Sequence, residues 1–140
     1  MNKQSKREEN SQYPLPKERL EKIIGYTFTD KSLLETALTP SSKSNELKNN
    51  GVAVECNERL EFLGDSVLSI VVSQYIYIRY KDCKEGELTK IRSSVVCEKA
   101  LAKYSDKIHL GDYLMIGHGE EKGGARHLPS ITSDAFEALI

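Results

Sequence analysis

Apolar positions recur at spacings of three and four along most of this chain, and polar breakers divide them into separate blocks. After Pro14 and Pro16, KERLEKIIGY places Leu20, Ile23 and Ile24 on one face and stops at Gly25, which predicts a short helix. TFTDKSLLETALTP predicts a second helix, capped by Thr29 or Asp30, with Leu33, Leu34, Ala37 and Leu38 as its apolar face and Pro40 as its end. The stretch from Ser41 to Val54, rich in Ser, Asn, Lys and Gly, reads as a surface loop.

The longest block runs from Cys56 to Tyr80 and carries Leu60, Leu63, Val67, Val71, Tyr75 and Ile78 at helical spacing. Phe62, Leu68, Ile70, Val72 and Ile76 occupy most of the other faces, so this block reads as the central helix, packed nearly all round. Val72, Ile76 and the tyrosines raise a strand over 67–78, but the length and the register from Glu58 onward favour a helix.

Glu87 to Lys107 reads as one or two helices with Leu88, Ile91, Val95, Leu101 and Ala102 inward. GDYLMIGHGEEKGGARHLP holds five of the nine glycines and reads as an extended loop, without the GK[ST] that a phosphate loop needs. SITSDAFEALI begins a last helix, capped by Ser130 or Ser133. The reading is an all-α domain over residues 13–140, preceded by a polar, mobile tail over residues 1–12.

Composition narrows the function classes only a little. A net charge of −1 gives no global basic field, so any nucleic-acid function must rest on local features. No apolar stretch is long enough to span a bilayer, and the polar N-terminus is not a secretory signal. Three cysteines (Cys56, Cys83 and Cys97) form no CxxC pair and suit a reducing compartment, so a cytoplasmic protein is expected.

The chemistry lies in the carboxylates. In NERLEFLGDSVL, Glu58, Glu61 and Asp65 follow i, i+3 and i+7 and share one helical stripe. In SDAFEALI, Asp134 and Glu137 repeat the arrangement amid Ala135, Phe136, Ala138 and Leu139. Clustered carboxylates on apolar helical surface repel one another and cost several kcal/mol each in desolvation unless a counter-charge is present.

Two neutralisers fit: basic side chains such as Arg59 or Arg79, or divalent cations bridging the pairs. The absence of lysine between residues 60 and 78 tilts the balance toward metal. All-oxygen ligation favours magnesium or manganese, and His109, His118 and His127 show no zinc-like spacing. Two such pairs on facing helices suit phosphodiester hydrolysis. Gly64 costs its helix about 1 kcal/mol against alanine, so it marks close approach by another backbone or a ligand.

NERLEFLGDSVL resembles the signature of the ribonuclease III endonuclease domain, of bacterial type, and SDAFEALI resembles its second acidic motif. LTKIRSSVV and GHGEEKGG fit the same family in order and spacing, and the resemblance covers about residues 17–140. It implies an all-α endonuclease-domain fold with a long central helix. The implied activity is magnesium-dependent hydrolysis of double-stranded RNA, with manganese as a substitute, giving 5′-phosphate and 3′-hydroxyl ends with short 3′ overhangs. No small-molecule cofactor and no membrane enter this reading.

By position, Glu61, Asp65, Asp134 and Glu137 would be catalytic, metal-holding carboxylates, with Glu58 supporting them. The family acts as a homodimer, and Phe62 matches the aromatic residue that packs into the partner, although an internal core position also fits it. Lys90, Arg92, Lys122 and Arg126 are candidate phosphate contacts. Family members commonly carry a double-stranded-RNA-binding domain, which no segment here resembles, and their endonuclease domain continues past the second acidic motif. The chain therefore reads as truncated. The alternatives are a non-catalytic double-stranded-RNA-binding or assembly module on the same fold, and a helical interaction domain whose acids are salt-bridged.

Overall fold

Gly25 ends the first helix as its sequence suggests: it adopts a left-handed conformation at φ 69° and donates its N–H to the Glu21 carbonyl. That helix, α1 (Lys17–Ile24), belongs to a computed structural model that describes residues 13–140. The tail expected over residues 1–12 lies outside the described residues. Leu20 on α1 is fully buried, and Glu21, 6% exposed, accepts hydrogen bonds from the Phe28 N–H and Lys31 Nζ. These two bonds fix α1 against the start of α2 (Lys31–Ala37), which Asp30 caps by accepting from the Ser32 N–H.

Ser41–Asn49 forms a helix, α3, and not the surface loop that its composition suggested. Pro40 precedes it with a preset backbone, and distant contacts hold it. Glu46 accepts the His118 N–H at 2.9 Å, and the Ser42 hydroxyl bonds Glu120. Polar composition gave no sign of a helix whose partners lie more than seventy residues away.

The long block folds as α4 (Glu58–Arg79), 22 residues and so about 33 Å in length. It is not packed all round. Among its residues only Gly64 and Ile76 are fully buried, whereas Phe62, Ile70 and Tyr77 are 79, 70 and 73% exposed. Leu63, Val67, Val71, Tyr75 and Ile78, expected to point inward, also lie on the exposed side. One chain supplies packing partners for only one side of this helix, chiefly α5 and α8.

The 87–107 block divides into α5 (Glu85–Val95) and α6 (Glu98–Lys107), with Leu101, Ala102 and Ser105 buried on α6. The glycine-rich segment is more ordered than the expected extended loop. It contains a 3-10 turn at Leu110–Tyr113, the one-turn helix α7 (His118–Glu121) and a second 3-10 turn at Ala125–His127.

The last helix, α8 (Pro129–Leu139), starts with Pro129 in its first turn and has no side-chain cap, contrary to the expected Ser130 or Ser133. The Ser133 hydroxyl instead donates back to the Ser130 carbonyl. Small buried residues, Thr132, Ser133, Ala135 and Ala138, let α8 lie between α4 and α6, so α8 and not α4 is the internal helix. Leu20, Leu34, Leu38, Leu110, Tyr113, Leu114 and Ala135 form the core around it. The described residues are all-α, and none of their helices is long and apolar enough to cross a membrane.

Candidate metal centre between two facing helices

Gly64 determines where α8 can sit. A Cβ built on it would lie 1.7 Å from the Glu137 carbonyl oxygen, so α8 rests its backbone directly on α4 at this point. The approach brings together side chains that the sequence separates by more than seventy residues. Carboxylate oxygens of Glu61, Asp134 and Glu137 all lie within 4.8 Å of one another. Asp65, one turn beyond Glu61, is outside this group of three but adjoins Glu137. Glu58 borders a small cleft of about 220 Å³ shared with Glu61 and Asp134.

The electrostatics follow from half-burial without a counter-charge. Burial pushes the Glu137 carboxyl up to about 7, with further upward pressure from the charges of Asp65, Glu61 and Asp134. Glu61 is raised first by burial and then by Asp134, Glu58 and Asp65. Asp134 is raised by burial and by Glu98, a carboxylate on α6, while the neighbouring Ser133 hydroxyl opposes the shift. Nothing in the sequence pointed to Glu98, which stands outside both motifs and approaches Asp134 only through the packing of α6 on α8.

The two neutralisers left open by the sequence can now be separated. Arg59 is exposed and lies 3.9 Å from Glu55, and Arg79 sits over the Tyr80 ring. Among the described residues no lysine, arginine or histidine forms an ion pair with Glu58, Glu61, Asp65, Asp134 or Glu137. Three hard oxygen donors in coordination range, half-buried and unpaired, fit a hard divalent cation. Among the described residues no His or Cys joins them, so the donor set does not suit zinc.

The candidate phosphate contacts fare differently from one another. Lys90 and Lys122 are exposed and make no ion pair among the described residues. Arg92 is half-buried and donates Nη1 to the Ser73 hydroxyl at 3.0 Å. Arg126 corrects the sequence reading: it is 3% exposed, and Nε and Nη2 grip the Glu121 carboxylate at 2.7 Å each. Its Nη1 donates to the carbonyls of Gly111 and Leu114, and Tyr13 lies over its guanidinium at 4.4 Å. With all three nitrogens engaged and the side chain buried, Arg126 braces the loop and is not placed to meet a phosphate. Phe62 is exposed and is not internal core.

The family described as Ribonuclease-III-like matches residues 30–140. Ribonuclease 3 of Caldanaerobacter subterraneus subsp. tengcongensis is 54% identical over 121 residues, 86% of this chain and 52% of that protein. Ribonuclease 3 of Clostridium perfringens is 52% identical over 121 residues, 86% of this chain and 49% of that protein. The chain thus spans about half the length of the curated relatives it matches.

Among solved structures, the nuclease domain of ribonuclease III from Campylobacter jejuni is similar at a TM-score of 0.79 and 42% identity, over 87% of this chain and 80% of that one. That domain is described as flexible in a region involved in dimer formation. The family match across residues 30–140, the identities to its curated members and the shared all-α fold agree, and the chain belongs to the ribonuclease III family.

Proposed function

We propose that this chain is the nuclease domain of a divalent-metal-dependent endoribonuclease that hydrolyses double-stranded RNA, leaving 5′-phosphate and 3′-hydroxyl ends with short 3′ overhangs. The observation that carries this reading is the unpaired carboxylate trio of Glu61, Asp134 and Glu137, poised between α4 and α8 in a chain of this family. Magnesium, or manganese in its place, would be held by these three residues with Asp65 beside them. When bound, such a cation lowers the pKa of a coordinated water and stabilises charge on the phosphate oxygens.

The remaining steps belong to the chain's own groups. Glu137 holds its proton near neutrality and must release it for a cation to bind, so protons and metal compete at this carboxyl. Glu58 supports the site by adding negative field to Glu61 and Asp134. Lys90 and Lys122 are the exposed cations proposed to meet phosphates, with Arg92 held ready by Ser73. A-form RNA is recognised largely through shape, phosphates and 2′-hydroxyls, which needs no strongly basic chain.

The exposed ridge on α4 supports a homodimer. Large apolar side chains from Phe62 to Ile78 form a contiguous patch of the kind that marks a protein interface. Two copies joined there would present two acidic sites to one duplex, with Phe62 inserted into the partner. The expected compartment is the cytoplasm.

Cleavage of a long RNA duplex with magnesium, comparing wild type with Glu137→Gln, tests the reading. The wild type should cut and the variant should lose about three orders of magnitude in rate, the scale on which preorganised charge-stabilising groups act. Equal cutting by both proteins overturns the role of Glu137. Sedimentation tests the dimer: Ile70→Asp should shift the population to monomer, and a wild type that stays monomeric at high concentration overturns the shared-site arrangement.

A further inference from the structure

The catalytic end of α4 is its first turn, which is where a helix is held least firmly. Its first backbone N–H groups have no partner within the helix, and no side chain caps them here. Asparagine is a strong capping residue, yet Asn57, immediately before Glu58, caps nothing. Its backbone is already helical, at φ −81° and ψ −4°, and its side chain is turned to another task.

Asn57 is 4% exposed and reaches across to the end of α2. Its backbone N–H donates to the Thr39 carbonyl at 2.8 Å, and Nδ2 donates to the Ala37 carbonyl at 3.2 Å. Its own carbonyl then accepts the Glu61 N–H at 2.8 Å. Asn57, Glu61 and Gly64 follow i, i+4 and i+7, so they share one face of α4. Glu61 therefore stands between two fixed points: the bonds of Asn57 to α2 on one side, and the contact of Gly64 with Glu137 on the other.

We propose that Asn57 is a positioning residue for the metal centre: by tying the uncapped first turn of α4 to the end of α2, it holds Glu61 in register with Asp134 and Glu137. The inference rests on the nuclease reading above and deepens it, because it assigns Asn57 a part in cation affinity. The side-chain bond to Ala37 requires a donor at this position. Aspartate can cap the helix but cannot donate to the Ala37 carbonyl, and alanine leaves that buried carbonyl unsatisfied.

Two measurements on Asn57→Ala test this, with Glu21→Gln as a control that weakens a comparably buried contact remote from the acids. The first is hydrogen exchange of the Glu61 amide in metal-free protein. The variant should exchange at least about tenfold faster at Glu61 than wild type, while Ala135 on α8 keeps its protection. Unchanged exchange at Glu61, or equal loss of protection throughout the domain, overturns the clamp.

The second is manganese affinity, read by electron paramagnetic resonance well below the unfolding temperature. Asn57→Ala should bind about 10- to 100-fold more weakly, as when residues that orient metal ligands are lost, and Glu21→Gln should bind like wild type. Equal affinity in Asn57→Ala and wild type, or equal loss in both variants, overturns the positioning role. A wild type that binds no manganese overturns the nuclease reading and the cation half of this inference together, and the exchange rates then decide the clamp alone.

Discussion

Two carboxylates in this chain are withdrawn from water in opposite ways. Glu121 is gripped by both forks of Arg126, and that hydrogen bonding draws its carboxyl below the ordinary value. Glu137, sixteen residues on, meets only other acids and is pushed up to about 7. The same fold thus pairs one half-buried carboxylate with a buried arginine and leaves another cluster without a counter-charge. The contrast argues that the deficit between α4 and α8 is a feature of the site and not a lack of available arginine.

The contrast can be broken from either side. The largest effect on stability is expected on the neutralised side. Arg126→Ala leaves Glu121 unpaired and the Leu114 carbonyl without its donor, while Gly111 keeps only the Leu114 N–H. It should cost about 3 kcal/mol in chemical denaturation, the scale for breaking a buried pair. A cost below about 1 kcal/mol, typical of a surface pair, would show that the brace is dispensable.

Gly64→Ala attacks the unneutralised side through its spacing. The added methyl group has to displace the Glu137 backbone, so overpacking of about 2 kcal/mol is expected, together with weaker manganese binding. Normal metal affinity in a folded Gly64→Ala protein would mean that the acids do not depend on this contact.

The remaining effect, of opposite sign on the two sides, concerns pH. Glu137 in the folded chain titrates at about 7 against an ordinary 4.5, so between these values the folded state holds more protons than the unfolded one. Its contribution to metal-free stability is therefore present at acid pH and lost as pH rises through about 7. Glu121 works the other way, contributing above its ordinary value and losing that contribution as pH falls. In EDTA, stability should decline from pH 5 to pH 8, Glu137→Gln should flatten the decline, and magnesium should reverse it. A wild-type stability that rises over this interval without metal would contradict the unneutralised cluster.

How much of this was legible in the sequence depends on what held each part in place. Short helices with local signals, such as α1 ending at Gly25 and α2 starting at Asp30, could be read directly, because cap and breaker lie within the segment they bound. The register of α4 was also legible, but its inside and outside were not. Leu63, Val67, Val71, Tyr75 and Ile78 form an apolar stripe whether their cover comes from this chain or from another. Helix α3 escaped because its bonds to the 117–121 segment are tertiary.

The acids were legible as pairs, since each pair sits on one helix at i, i+3 or i+4. Which of them converge was not, because that depends on how closely α8 lies on α4. Gly64 hinted at the approach without naming the partner. Arg126 misled for a related reason: a basic residue in a glycine-rich stretch looks solvent-facing until the carbonyls it serves, at Gly111 and Leu114, are seen.

The contact of Gly64 with Glu137 also acts as a gauge. Main chain rests on main chain there, so the gap between the helices is set by groups that have no rotamers to change. If the site holds magnesium as proposed, a larger cation such as calcium, with oxygen distances a few tenths of an ångström longer, would meet helices already in backbone contact. On that proposal the carboxylates would have to turn to admit it, and the choice between ions would rest on the backbone beneath them.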